Sequence, residues 1–95
     1  NVMENKSVNI KVGGRFYPLS IPSEEEEILR DLEKKVEGMI KKFEANYAIK
    51  DKQDALALCI LQLGTNVEVN KQKYDNIISA SKEKVDHLLS LFEED

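Results

Sequence analysis

The sequence predicts an α+β fold that is mostly helical: a head made of an N-terminal β-hairpin and a helix, then a long C-terminal coiled-coil helix that makes the chain oligomeric. Three observations carry this. Apolar residues alternate on either side of Gly13-Gly14. Apolar residues then recur at spacings of three and four from Leu29 to Tyr47. From Lys52 onward no proline interrupts the chain, and a heptad-like seam runs almost to its end.

Val8, Ile10 and Val12 are separated by polar Asn9 and Lys11, the period of a half-buried strand over about 8–12. Gly13-Gly14 suits a two-residue turn because both residues tolerate positive φ. A second strand follows over about 16–21, with Tyr17, Leu19 and Ile21 on one face. Pro18 has no N–H to give a ladder, so its nitrogen should face an open edge. A lone hairpin is marginal in water and must pack on helices or on a second hairpin.

Ser23 with Glu26 reads as a capping box opening a helix over about 24–46, and Glu24–Glu27 set four carboxylates against the positive end of its dipole. Leu29, Leu32, Val36, Ile40, Phe43 and Tyr47 form the apolar stripe. Gly38 inside it would permit close approach of another backbone. After a short loop, Asp51 can cap a second helix with Asp54 at its third position. That helix is expected from about Lys52 to Phe92, roughly 60 Å at 1.5 Å per residue. Its first part, Ala55–Leu61, is apolar all round and is expected to lie buried under the hairpin and first helix. The head is thus expected over 1–63 and a coiled-coil stalk over 64–95.

The stalk seam starts from Leu56 and Ile60 and continues through Leu63, Val67, Asn70 and Tyr74, steps by four to Ile78, then runs through Ser81, Val85, Leu88 and Phe92. The extra four-step is a stutter that locally unwinds a left-handed supercoil. Asn70 and Ser81 are polar seam positions of the kind that set register and oligomer state. A second stripe of Ile77, Leu89 and Leu91 suggests more than a two-stranded coil.

Composition narrows the function. The 95 residues are 41% apolar, 34% charged and 6% aromatic, enough for one small domain whose core needs supplementing. One cysteine cannot make a disulfide framework, so oligomerisation is the expected supplement. A net charge of −4 argues against nucleic acid as a partner. No apolar run reaches the roughly 18 residues of a membrane span. With no signal peptide and Cys59 set in an apolar run, the chain reads as cytosolic; Asn1-Val2 ahead of Met3 are expected to be an addition to the native start.

No catalytic, metal or cofactor constellation emerges. His87 has no second ligand in helical reach and reads as a surface residue; its neighbour Asp86 points elsewhere. Cys59 reads as a core residue. The Glu24–Glu27 carboxylates fan around the helix axis instead of converging on a cation. Gly13-Gly14 lacks the spacing of a phosphate loop. Lys34, Lys35, Lys41 and Lys42 interleave with Glu33, Glu37 and Glu44, which reads as a solvated mixed-charge face. Residues 1–50 carry nine basic and nine acidic groups; residues 51–95 carry five and nine. Positive surface therefore belongs to the head, and Arg15 sits at the hairpin tip, where contact residues concentrate.

The Gly-Gly-Arg turn, the Ile21-Pro22 exit into Glu24-Glu25-Glu26-Glu27-Ile28-Leu29-Arg30, and Asp51-Lys52-Gln53-Asp54-Ala55-Leu56-Ala57-Leu58 together resemble the bacterial cell-division protein ZapA family, from about Ser7 to Leu91. The resemblance implies a non-enzymatic scaffold without cofactor, metal or small-molecule substrate. It implies heads that pair, and an antiparallel helical stalk that joins two dimers. It further implies that the heads bind FtsZ, the tubulin-like GTPase of the division ring, and bundle its filaments at mid-cell. By that resemblance the FtsZ contact falls on Arg15 first, then on Lys50, Lys52 and Gln53, with Lys42 a further addition. Two other classes compete: a small coiled-coil oligomerisation or regulatory adaptor with a different partner, and an enzyme with a site shared between subunits. The acidic balance and the lack of convergent His, Cys or carboxylates count against nucleic-acid binding and catalysis.

Overall fold

A computed structural model describes residues 4–93. Asn1 and Val2 lie outside the described residues. The elements are strand β1 (Asn5–Val12), strand β2 (Arg15–Pro22), a single 3-10 turn (Ser23–Glu25), helix α1 (Glu26–Asn46) and helix α2 (Lys52–Ser90). The hairpin is antiparallel with Val12 opposite Arg15 and Asn5 opposite Pro22. Gly13 and Gly14 adopt φ of 61° and 88°, as a primed two-residue turn requires. Both strands outrun the apolar alternation. Polar Asn5–Ser7 still pair with Ser20–Pro22 through backbone groups, which a side-chain pattern does not report.

Residues directly opposite share a face. Arg15, Tyr17 and Leu19 therefore lie on the same face as Val12, Ile10 and Val8. The core beneath that face consists of Val8 and Ile10 from β1, Val36 and Ile40 from α1, and Ala55 and Cys59 from α2. Ile40 is its largest fully buried side chain. Tyr17 and Leu19, on the β2 half of the face, stay exposed.

Both sheet edges are blunted. A two-residue turn makes Val12–Arg15 a hydrogen-bonded pair, so the backbone groups of Lys11 and Asn9 point outward from β1. Three α1 side chains, one helix face at spacings of three and four, meet this edge. Glu33 Oε2 accepts the Lys11 N–H at 2.6 Å, Glu37 Oε2 accepts the Gly13 N–H at 2.9 Å, and Arg30 Nη1 donates to the Asn9 carbonyl at 3.0 Å. Glu33 and Glu37 are thus committed to the strand, and do not belong to the solvated mixed-charge face expected of them. On the far side, Pro18 opposes Asn9 at a non-hydrogen-bonded position, so its missing donor falls on the open β2 edge. Unpaired edges invite strand addition, and a proline is one of the devices that discourages it.

The predicted Ser23 capping box does not form. Ser23–Glu25 is a 3-10 turn, α1 begins at Glu26, and no side chain caps it. Lys6 Nζ draws the Glu26 carboxylate away at 2.7 Å, with Arg30 Nη2 at 3.7 Å, and the Ser23 N–H donates to the Glu4 carbonyl. The second cap is as expected: Asp51 Oδ1 accepts the Asp54 N–H at 3.2 Å.

Ala55–Leu61 is not buried all round. Ala55 and Cys59, four apart, are buried, whereas Ile60 and Leu61 are 69% and 65% exposed. A hairpin and one helix cover only one side of a helix, and among the described residues of the N-terminal unit no further element covers the other. The chain divides into two compact units, Asn1–Ile60 and Leu61–Asp95. In the second unit every residue from Gly64 to Glu93 is exposed. α2 ends at Ser90, so Phe92 lies in a turn beyond the helix and not within it as predicted. The Phe92 N–H bonds the Leu89 carbonyl at 3.0 Å, a tightened last turn.

Two measurements check these packing assignments. Gly13→Ala should lose about 1–2 kcal/mol in urea unfolding, because φ of 61° strains any residue with a Cβ. Gly38→Ala should gain up to about 1 kcal/mol, because nothing lies within 4 Å of its missing Cβ; a loss there would show that another backbone does approach it. The hydrogen bond from Lys6, aided by the charges of Lys6 and Arg30, holds the Glu26 carboxyl below the usual glutamate range despite some desolvation. A lowered native pKa gives stability that is present above the unfolded value and lost as pH falls through the native one. Glu26→Gln should therefore be less stable than wild type at neutral pH, with the gap closing in acid below about pH 4.3. A gap unchanged in acid would remove the charge from the explanation.

Candidate partner-binding site

Arg15 is the first residue after the turn, and Tyr17 follows two residues later on the same face of β2. Lys52 and Gln53 open α2, and Leu56 lies one helical turn further on. These residues, with Val12 and Gly13, line a cleft of ≈ 320 Å³ within the N-terminal unit. Leu56 faces the turn across the cleft: a Cβ added to Gly13 would meet Leu56 Cδ2 at 3.7 Å.

Three of the sequence-predicted contact residues therefore converge: Arg15, Lys52 and Gln53. Lys42 and Lys50 do not line the cleft; Lys42 is an exposed residue of α1 and Lys50 an exposed residue of the loop before α2. Tyr17 and Leu56 are not among the predicted contact residues: the sequence assigns Tyr17 to a strand face and Leu56 to the start of the stalk seam, whereas the structure sets both in the cleft. The period-two step from Arg15 and the four-residue step from Lys52 point to them, but only once the turn is known to face α2.

The cleft is cationic and carries no carboxylate among its lining residues. Lys52 Nζ is held by Glu44 Oε2 at 2.7 Å, and Arg15 makes no ion pair among the described residues. Such a site can hold an anion. It presents no carboxylate, imidazole or thiol for acid–base or nucleophilic work. Cys59 lies in the core, where desolvation, and secondarily the Glu37 charge, pushes its thiol pKa up. His87 is exposed on α2, its carbonyl accepting the Ser90 hydroxyl at 2.6 Å. Among the described residues no group of three or more His, Cys, Asp or Glu side chains could hold a metal ion. No helix among them is long and apolar enough to cross a membrane.

A second surface lies on α2. Val67, Tyr74, Ile78, Val85 and Leu88 are all at least half exposed, as are Ile77 and Leu89 beside them. Leu63 is half-buried, and Asn70 and Ser81 are exposed on the same helix. Phe92, in the turn beyond α2, is 84% exposed.

No curated protein and no solved structure matches the chain. The family described as Cell division protein ZapA matches residues 8–91, from β1 through the end of α2. The match spans the hairpin, both helices and all three predicted contact residues that meet at the cleft, and the chain belongs to this non-enzymatic family of cell-division proteins.

Proposed function

We propose that the chain is a non-catalytic scaffold of the division ring, cytoplasmic and placed at mid-cell, that binds FtsZ and crosslinks its filaments. The observation that carries this is the pairing of family membership with a helix whose apolar seam beyond Leu63 stays exposed among the described residues. Copies would associate through Leu63, Val67, Asn70, Tyr74, Ile78, Ser81, Val85 and Leu88 of α2, with Phe92 beyond its end. Pairs would join as a dimer of dimers, with residues 1–63 acting as heads and 64–95 as the stalk. Such an assembly presents the same contact surface more than once. Weak single contacts then add through effective concentration, so bundling requires both the head contact and self-association.

Arg15, Lys52 and Gln53 are the proposed centre of the FtsZ contact, with Lys50 and Lys42 outside the cleft as secondary contributors. An exposed cation contributes to association chiefly through long-range attraction and is weakened by salt. The alternative, an oligomerisation adaptor for a different partner, shares the α2 seam and differs only in what the cleft takes.

Co-sedimentation with polymerised FtsZ and GTP, with light scattering on the same samples, tests the proposal. Wild type should pellet with filaments and raise scattering. Ile78→Glu or Leu88→Glu should reduce the mass of the particle and abolish bundling while leaving some filament binding. Arg15→Glu should keep the mass and lose both binding and bundling. Wild type left in the supernatant at every salt concentration would overturn FtsZ as the partner. Unchanged mass in both seam variants would overturn the seam.

A further inference from the structure

We propose that the cleft between the hairpin tip and the first turn of α2 is a pocket for one acidic side chain flanked by an apolar one, presented by a segment of the partner protein. The proposal rests on the reading of the cleft as part of the partner contact and specifies what that contact takes.

The charge of the cleft selects a single carboxylate. Of the cations near the hairpin, Lys6 is bound to Glu26, Arg30 lies between Glu26 and Glu33, and Lys11 stands 5.9 Å over the Phe16 ring. Lys52 is engaged by Glu44. Arg15 alone combines a place in the cleft with no ion pair among the described residues. A guanidinium offers a planar fork that fits one carboxylate with two parallel hydrogen bonds.

A phosphate fits less well. The usual second source of anion binding would be the α2 N-terminus, whose backbone donors face outward. Asp51 already occupies it, accepting the Asp54 N–H and bringing its own negative charge. A doubly charged group placed there would meet Asp51 and only one free cation.

The remainder of the cleft is apolar or neutral. Val12, the Tyr17 ring and Leu56 form apolar walls, and the Gln53 amide can donate to or accept from a backbone. At ≈ 320 Å³ the cleft lies at the small end of ligand pockets, with room for an acidic side chain and its apolar neighbour. Gly14, beside it, has nothing within 4 Å of where a Cβ would be, so a partner backbone can approach the turn unobstructed.

The test uses the full chain and two probes. The first is polymerised FtsZ, with Arg15→Lys and Arg15→Gln compared with wild type after both variants are shown to melt like it. Arg15→Gln should weaken filament binding about tenfold or more, and Arg15→Lys by an intermediate factor because the fork is lost while the charge remains. The second is a blocked tetrapeptide, Glu-Leu-Glu-Phe, titrated into isotopically labelled protein while amide resonances are followed. It should shift the Gly13, Arg15, Tyr17 and Gln53 amides, whereas Lys-Leu-Lys-Phe and inorganic phosphate should not. Filament binding by wild type that survives unchanged in both Arg15 variants overturns the pocket and leaves the FtsZ assignment standing. Peptide shifts at the cleft without any filament binding support the pocket and overturn FtsZ as the partner. Equal shifts with inorganic phosphate overturn selectivity for a carboxylate segment.

Discussion

The constraint that organises the molecule is that the described residues leave most of α2 uncovered. Among the described residues six apolar side chains are buried, while eighteen large ones stay exposed. At about 1.5–3 kcal/mol for each large side chain fully buried, the four large ones among the six (Val8, Ile10, Val36 and Ile40) provide a modest opposition to the ordering entropy of the head. The exposed set is the larger reservoir, and it is not scattered. Ile60, Val67, Tyr74, Ile78, Val85 and Leu88 repeat along one helix at spacings that form a stripe. An apolar stripe of this extent is the kind of surface that another molecule covers.

The N-terminal unit follows a complementary logic. Its hairpin would be a hazard with two open edges, yet α1 closes one through Arg30, Glu33 and Glu37, and Pro18 guards the other. Strand addition is thereby discouraged on both sides, which leaves the tip and the exposed part of the faces open to contact. The turn faces Leu56, so the Arg15 side of the tip and the start of α2 form one surface. The same two glycines that make the turn possible also hold Arg15 at the rim of a cleft.

Much of this was legible in the residues alone. The hairpin, both helices and the Asp51 cap follow from alternation, three-four spacing and a side-chain acceptor at the right place. The boundaries that moved did so for reasons a pattern does not carry. Polar Asn5–Ser7 pair through their backbones. Ser23 lost its cap because Lys6, twenty residues from Glu26, claims that carboxylate. Ala55–Leu61 reads as a fully buried segment, but burial also needs covering elements, which the described residues supply fully for Ala55 and Cys59 and partly for Leu56 and Leu58. At the site, Arg15 is legible as a cation at the hairpin tip, whereas Lys52 and Gln53 follow from the family resemblance. Tyr17 and Leu56 needed the tertiary contact between turn and helix, and Lys42 and Lys50 are separated from the cleft by the same geometry.

The proposed dependence of α2 on a second chain is tested most directly by sedimentation equilibrium and far-ultraviolet circular dichroism on one dilution series of the full chain. Isolated helical segments are marginal without packing. The account predicts that mass and helicity fall together as the chain is diluted, because residues beyond Ile60 lose their cover and their helix at once. A chain that sediments as a monomer at every concentration with undiminished helicity would contradict it.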